Sequence, residues 1–260
     1  MVLPQTGFDS NSTYFEHNLN SKEIPNIFIH GVGLDNKMWL PQKKYFRNKQ
    51  VLFYDLLNHG NSKKGYSELN FNNFSDQLNL LLQYLNIDKF NLIGFSIGAL
   101  ISQYFANKYY DRINKLIIIA SIYKRTHEQI TNVRNRYNRV LKGESINDDS
   151  INRWFNKEYL QNNPDVYEFF FNILKNKKNE DFIPAYKVFI ESENHEQTFT
   201  LRFSSAINTK LNMQLYYEYY TYLNNWDINS DWQFPQKYDT IICTRCAYFA
   251  KDLFSFFTRC

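Results

Sequence analysis

A serine flanked by glycines is the residue of this chain best suited to nucleophilic chemistry. Ser96 is the centre of segment 94–98, whose order is Gly-Phe-Ser-Ile-Gly. The segment follows the apolar run 90–95, which predicts a buried strand, and the residues after it continue at helical spacing. A sharp turn between a strand and a helix exposes a serine hydroxyl, and Gly94 and Gly98 allow the two elements to pass close together. The motif therefore predicts acyl transfer through Ser96.

Acyl transfer also needs hydrogen-bond donors for the negative oxygen of the tetrahedral intermediate. The backbone N–H of Ile97, directly after the serine, is one candidate. The second is expected in the loop after an earlier strand, and residues 30–33 (His-Gly-Val-Gly) follow the apolar run 24–29. Val32 is therefore the second predicted donor, and an ordinary glycine-rich turn is the alternative. Neither loop ends in the Gly-Lys-Ser/Thr of a phosphate-binding loop.

The elements that must position these groups alternate along the chain between strands and helices. Strands are predicted at 24–29, 51–54, 90–95 and 115–120, and helices at 36–46, 71–85 and 97–105. The strands are apolar on both faces. This pattern predicts an α/β fold in which a mostly parallel central sheet has helices on both faces.

Residues 123–192 have a different character from the residues before them. Charged and aromatic residues follow helical patterns there, as in Tyr137, Val140 and Leu141, and no strand candidate occurs. We interpret this stretch as an all-helical cap inserted over the carboxyl edge of the sheet. The predicted organisation is the N-terminal part of the core at 1–122, the cap at 123–192 and an atypical C-terminal segment at 193–260.

The composition argues against several classes of partner. The net charge is only +4, and basic residues are scattered among acidic ones, so nucleic-acid binding is not indicated. No apolar run approaches the roughly 20 residues needed to cross a bilayer, and the N-terminus lacks a signal-peptide pattern. We therefore expect a cytoplasmic protein whose partner is a small molecule.

Cofactor chemistry is not indicated either. Cys243 and Cys246 have the spacing of half a zinc or redox motif, but no second pair and no neighbouring histidine accompany them. Chance is the better explanation of that spacing. Acyl transfer through a serine needs only side chains and water, so no metal and no organic cofactor is predicted.

Together these motifs resemble the α/β-hydrolase superfamily over about residues 26–190. The resemblance is carried by 29–35, Met38-Trp39, Asp55 with 59–62, and 94–98. The Gly-Leu-Asp of residues 33–35 and the Met-Trp pair look most like the 3-oxoadipate enol-lactonase branch. Segments 151–155 and 184–186 in the cap are similar to stretches of that branch, whereas the C-terminal part does not match.

The resemblance implies an α/β-hydrolase fold and a serine-dependent hydrolase of a carboxylic ester or lactone. Ser96 would attack the carbonyl carbon, the N–H groups of Val32 and Ile97 would hold the oxyanion, and Trp154 would line the substrate pocket. The positions that would support the loop and the turn are His30, Gly31, Gly94 and Gly98. Hydrolysis of a carbon–carbon bond and cofactor-free haloperoxidase chemistry use the same serine site and are alternatives.

The base that should activate Ser96 is not evident in the sequence. In this fold an acid and then a histidine follow the serine along the chain. Only His127 and His195 follow Ser96, and neither has the expected place near the C-terminus. The candidate acids, each better explained as a solvated loop residue, are Asp227, Asp231 and Asp239.

Residues 193–260 look unlike the family, although 215–222 and 241–246 have the composition of strands. A shifted reading frame in the gene is one hypothesis for this segment, and resequencing the gene across it is the direct test. A competing interpretation of the whole chain is a non-catalytic or damaged homologue that at most binds a small molecule. The sequence therefore predicts the nucleophile position and leaves the activity of the chain open.

Overall fold

The computed structural model describes residues 5–122 and 125–192, together with two short strands further along the chain. The rest of segment 193–260 lies outside the described residues. That remainder contains His195, Cys246 and the candidate acids Asp227, Asp231 and Asp239. The reading-frame hypothesis concerns the same segment and stays a hypothesis.

A single mixed sheet forms the centre of the fold. Its described strands are Gln5–Phe8 (β1), Tyr14–Asn18 (β2), Asn26–Ile29 (β3), Val51–Tyr54 (β4), Phe90–Phe95 (β5), Ile113–Ile119 (β6), Met213–Gln214 (β7) and Thr240–Cys243 (β8). Their spatial order is β1-β2-β4-β3-β5-β6-β8-β7. The pairs β1–β2 and β2–β4 are antiparallel, and all the others are parallel. The structure therefore confirms the predicted mostly parallel sheet.

The inner strands form because their residues are apolar on both faces. β4 is buried along its whole length, and Ile27, Phe28 and Ile29 of β3 have no exposed surface. Phe28 stacks on Phe53 of β4 with 4.7 Å between ring centroids. Burial on both faces is typical of parallel strands, and it explains why the sequence locates β3 to β6 within about two residues of their ends.

The outer strands are less visible in the sequence. β1 has mostly exposed residues and β2 includes Glu16 and His17, so neither contains an apolar run, and the sequence does not predict them. β2 is nevertheless held by its pairing with β4, in which Phe15 lies opposite Tyr54. On the other side of the sheet, β8 overlaps the strand candidate 241–246 and continues the parallel pairing of β6.

Helices cover the sheet between these strands, at Leu40–Tyr45 (α1), Phe71–Tyr84 (α2) and Ile97–Tyr109 (α3). The predicted helix 36–46 is divided, because a 3-10 helix at Asn36–Trp39 precedes α1. α2 follows its predicted amphipathic pattern and buries Phe74, Leu78 and Leu81 completely in the main core.

The described residues between β6 and residue 192 contain helices and no strand. These helices are His127–Leu141 (α4), Asn147–Trp154 (α5), Lys157–Asn162 (α6), Pro164–Lys175 (α7) and Asn179–Glu191 (α8). α4 and α8 share an apolar core of their own, to which Val133, Val140, Phe182 and Tyr186 contribute. The helical cap of the predicted fold is thereby confirmed, whereas the domain limits at 122/123 and 192/193 stay predictions. No helix in the described part of the chain is both long and apolar enough to cross a bilayer.

We predict that Gly98→Ala destabilises the fold severely. The added methyl carbon would lie 2.5 Å from the carbonyl oxygen of Ile29 and 2.6 Å from that of His30, and backbone atoms cannot rotate away. A loss of about 3 kcal/mol or more in the free energy of unfolding is expected from such overpacking. Urea unfolding measures it.

Gly143→Ala is the control for that measurement. Gly143 has a φ of +82°, but a methyl carbon there would meet no atom within 4 Å. Its substitution is expected to cost only the backbone strain, about 1 kcal/mol. Equal stability of Gly98→Ala and the wild type would show that strand and helix do not approach as described.

Candidate active site

Ser96 occupies a strained turn at the carboxyl end of β5. Its backbone angles are φ 57° and ψ −118°. This combination is energetically unfavourable for any residue other than glycine. Helix α3 begins at the next residue, Ile97. The Ser96 N–H donates to the carbonyl of Ile119 in β6 at 3.0 Å, and the Ser96 carbonyl accepts from the N–H of Ala99 at 3.0 Å. The serine is thus held at both backbone groups and turned out of the sheet edge.

Glycines make room for this turn. A methyl carbon on Gly94 would lie 2.3 Å from the carbonyl oxygen of Gly98, across the contact between β5 and α3. A methyl carbon on Gly31, in the loop after β3, would lie 2.9 Å from the Phe95 ring and 3.4 Å from the Ser96 β-carbon. The structure therefore brings the predicted supporting glycines together around Ser96, because only a missing side chain lets these backbones approach.

Two backbone N–H groups next to Ser96 have no acceptor among the described residues. In the loop after β3, the Gly33 N–H donates to His59 and the Leu34 N–H donates to the Gly31 carbonyl, whereas the Val32 N–H makes no such bond. Ile97 is the first residue of α3, where an N–H has no partner within its helix. Both N–H groups predicted to bind the oxyanion are therefore unpaired within the described part of the chain.

Two buried histidines fix the loop that carries Val32. The Leu56 N–H donates to His30 Nε2 at 3.0 Å, so the proton of that ring is on Nδ1, which donates to the Gly31 carbonyl at 2.8 Å. His59 repeats the pattern, because Nε2 accepts from the Gly33 N–H at 3.0 Å and Nδ1 donates to the Leu57 carbonyl at 2.8 Å. Neither ring has a nitrogen left for Ser96.

Burial keeps both rings neutral. It lowers the pKa of His30 to about 4 and the pKa of His59 to about 3. The two rings also face each other edge to face, with 5.2 Å between centroids, so a charge on one would repel a charge on the other. The loop is therefore held by neutral imidazoles in one tautomer.

A buried carboxylate joins the same loop to the turn after β4. Asp55 Oδ1 accepts from the backbone and side-chain N–H groups of Asn36, each at 2.7 Å, and Oδ2 accepts from the Asn61 N–H at 2.8 Å. Burial raises the pKa of Asp55, and the three hydrogen bonds act in the opposite direction. Gly60 is required beside it, since a methyl carbon there would lie 2.0 Å from Oδ2.

A cavity of about 250 Å³ lies between the sheet edge and the cap. Its floor consists of residues 31–34, Phe95, Ser96 and Ala120, at the carboxyl ends of β3, β5 and β6. The cap contributes residues of α4, α5, α7 and α8, the residue before α5 and the loop after α7. Its uncharged lining residues are Ile146, Ser150, Trp154, Leu174, Phe182, Tyr186 and Phe189.

The predicted pocket residue Trp154 lines this cavity together with Ser96. Trp39 does not line it and is buried under the sheet edge, 5.2 Å from the ring centroid of Phe28. His127 is exposed at the start of α4. Among the described residues, no histidine lines the cavity, and no group of metal-ligating side chains is assembled.

Three cationic residues that the sequence did not indicate also line the cavity, namely Arg136, Arg153 and Lys177. Desolvation and then the charge of Arg136 lower the pKa of Arg153, and burial lowers the pKa of Lys177 to about 8. The sequence contains no signal that separates Arg136 from its neighbours on α4, because only the packing of the cap decides which arginine faces inward.

Comparison with known proteins identifies the family of this chain and several proteins that are similar to it. The sequence model of the alpha/beta hydrolase fold family matches residues 27–242. A hydrolase of (E)-2-((N-methylformamido)methylene)succinate from Acinetobacter baylyi is 28% identical over 57% of this chain and 56% of its own length. The 3-oxoadipate enol-lactonase 2 of the same organism is 27% identical over 55% of this chain and 54% of its own. The chain thus spans about half the length of these curated relatives.

The solved structure of the enol-lactonase from Burkholderia xenovorans has the same fold. It superimposes with a TM-score of 0.62 over 69% of this chain and 71% of that chain, at 20% sequence identity. The overall fold of this chain is thus shared with a solved protein.

We predict that acid destabilises the protein through His30 and His59. The folded pKa values of about 4 and about 3 lie below the ordinary value of 6.5, so below that pH the unfolded chain binds protons that the folded protein excludes. The contribution of the two neutral histidines to stability is therefore fully present above about pH 6.5, and it decreases as the pH falls toward their pKa values in the folded protein. The expected loss near pH 5 is about 2 kcal/mol per histidine, measured by urea unfolding across this range.

His59→Gln separates this effect from general acid sensitivity. The amide of glutamine can accept from the Gly33 N–H but does not titrate, so this variant is expected to lose about 2 kcal/mol less than the wild type by about pH 5. His127→Gln is the matched control at an exposed histidine, and its pH dependence should follow the wild type. The same pH dependence in all three proteins would contradict the assignment.

Proposed function

Because this chain belongs to the alpha/beta hydrolase fold family, we propose that it hydrolyses a small carboxylic ester or lactone through Ser96. The observation that carries the proposal is the strained backbone of Ser96 at the edge of the cavity, beside the unsatisfied N–H groups of Val32 and Ile97. Such a conformation costs free energy, and residues held in it cluster at active sites. The enol-lactonase and the succinate-derivative hydrolase among the relatives support the same class of reaction.

In the proposed reaction, Ser96 Oγ attacks the carbonyl carbon of the substrate and loses its proton to a base. The carbonyl oxygen becomes an oxyanion, which accepts hydrogen bonds from the N–H groups of Val32 and Ile97. The N-terminus of α3 adds a favourable partial positive charge at the same point. Collapse of this intermediate releases the alcohol and leaves an acyl group on Ser96, which water then removes.

The cavity supports a small substrate with an apolar portion. Its volume of about 250 Å³ is below the roughly 300–1,000 Å³ of sites for drug-sized ligands. Trp154, Phe182 and Leu174 give it apolar walls. The role of Trp154 is thus to hold the carbon chain of the acyl group near Ser96.

A fluorophosphonate probe tests the assignment of the nucleophile, because it reacts with an activated serine and needs no turnover. We expect the wild type to be labelled at Ser96 and Ser96→Ala to remain unlabelled. Ser150→Ala is the matched control, since Ser150 lines the same cavity but donates its hydroxyl proton to the Ile146 carbonyl at 2.7 Å. It should be labelled like the wild type.

Hydrolysis of a set of neutral esters and lactones completes the test. Loss of the nucleophile is expected to reduce the rate at least about a thousandfold in Ser96→Ala. A folded wild-type protein that the probe does not label would contradict the role of Ser96. A labelled protein that hydrolyses no ester and no lactone would contradict the hydrolase and favour a small-molecule binding protein.

A further inference from the structure

The cap side of the Ser96 cavity carries positive charge that attack on a carbonyl does not require. Arg136 of α4, Arg153 of α5 and Lys177 after α7 all line it, and no aspartate or glutamate is among its described lining residues. We propose that these cations bind a carboxylate of the substrate, so that the protein acts on a short ester or lactone that bears a negative charge. This inference rests on the proposed function and specifies its substrate class.

The two guanidinium groups are available to such a ligand. Arg136 donates from Nε to the Tyr186 hydroxyl at 3.4 Å, a long bond, and makes no ion pair with any described residue. Arg153 makes no side-chain hydrogen bond or ion pair within the same set. Asp149 acts on Arg153 by its charge, but it is paired with Arg139. The two arginines of the cavity therefore differ from Arg139, whose charge is already balanced by ion pairs with Glu144 and Asp149.

The electrostatics of the cavity favour an anion. Arg136 and Arg153 line the same cavity, and desolvation and then the charge of Arg136 lower the pKa of Arg153, as expected for two cations that repel each other. A carboxylate that accepts hydrogen bonds from both guanidinium groups would reduce that repulsion, and charge-assisted hydrogen bonds are stronger than neutral ones. Lys177 lies over the Phe182 ring at 5.1 Å and donates to the Leu174 carbonyl at 3.2 Å, and it adds a third positive charge near neutral pH.

The geometry favours a carboxylate over a larger anion. A guanidinium is a planar fork that can donate two parallel hydrogen bonds to a carboxylate. The cavity holds only about 250 Å³ between the cap cations and the sheet edge, so the charged group and the scissile carbonyl must be joined by a short chain. A four-carbon diacid monoester has this form.

Binding can be tested without turnover by comparing succinamate with succinamide, which have the same size and differ by one negative charge. Calorimetry on the wild type is expected to show succinamate binding at least about tenfold more tightly. Arg136→Met and Arg153→Met should each weaken succinamate binding by about tenfold to a hundredfold, the value of a hydrogen bond to a charged group, and leave succinamide binding unchanged. Arg134→Met is the matched control, because Arg134 is on the same helix as Arg136 and does not line the cavity.

The rate of ester hydrolysis gives an independent test. It is measured with monomethyl succinate, which carries a carboxylate, and with its neutral counterpart methyl succinamate. The wild type should hydrolyse the charged ester with the higher kcat/KM. Arg153→Met should lower kcat/KM for the charged ester by a similar factor, mainly through KM, and by clearly more than it lowers the value for the neutral ester. Arg134→Met should leave both values unchanged.

The two proposals fail in different ways. Equal affinity for succinamate and succinamide, or unchanged affinity in both arginine variants, would overturn the carboxylate site even if Ser96 is labelled and neutral esters are hydrolysed. Binding of inorganic phosphate without binding of succinamate would overturn the choice of a carboxylate. Arginine-dependent binding of succinamate by a protein that the fluorophosphonate probe does not label would overturn the serine hydrolase and retain the anion site.

Discussion

Three backbone segments meet at Ser96 with no space for a side chain between them, and the rest of the site depends on this approach. A methyl group on Gly98 would collide with the end of β3, and one on Gly94 would collide with the start of α3. The approach holds Ser96 in a left-handed conformation, whose strain must be offset elsewhere. The parallel strands β3, β5 and β6 offset it, because burial of their apolar residues on both faces fixes the ends of the strands.

The loop that carries Val32 depends on a second constraint, which is the hydrogen bonding of two buried histidines and a buried aspartate. His30, His59 and Asp55 are almost fully buried, and their hydrogen bonds to backbone groups tie residues 30–36 to residues 55–62. A buried polar group that lost its partner would cost more than the bond contributes when it is made, so the network forms as a unit. The Val32 N–H remains without an acceptor among the described residues, because the network holds the neighbouring carbonyl groups in place.

The parts of the molecule that could be predicted from the sequence are those with a local pattern. β3 to β6 have apolar runs, α2 has a helical period, and the surroundings of Ser96 have glycines at fixed offsets. The β1–β2 hairpin has no such pattern, since its pairing with β4 holds it in place. The cations that line the cavity could not be predicted either. Arg134, Arg136 and Arg139 are alike in the sequence of α4, and only the packing of α4 on α8 decides which of them faces the cavity.

The sheet edge and the cap contribute different parts of the cavity. The sheet edge carries Ser96, and the cap carries most of the side chains that would contact the rest of a substrate. Ser96 and the N–H groups of Val32 and Ile97 have positions that the backbone defines and that tolerate almost no change, whereas the cap presents side chains that can change without disturbing the turn at Ser96. In the proposed function, charge in the cap would therefore select the substrate with little constraint from the reaction at Ser96.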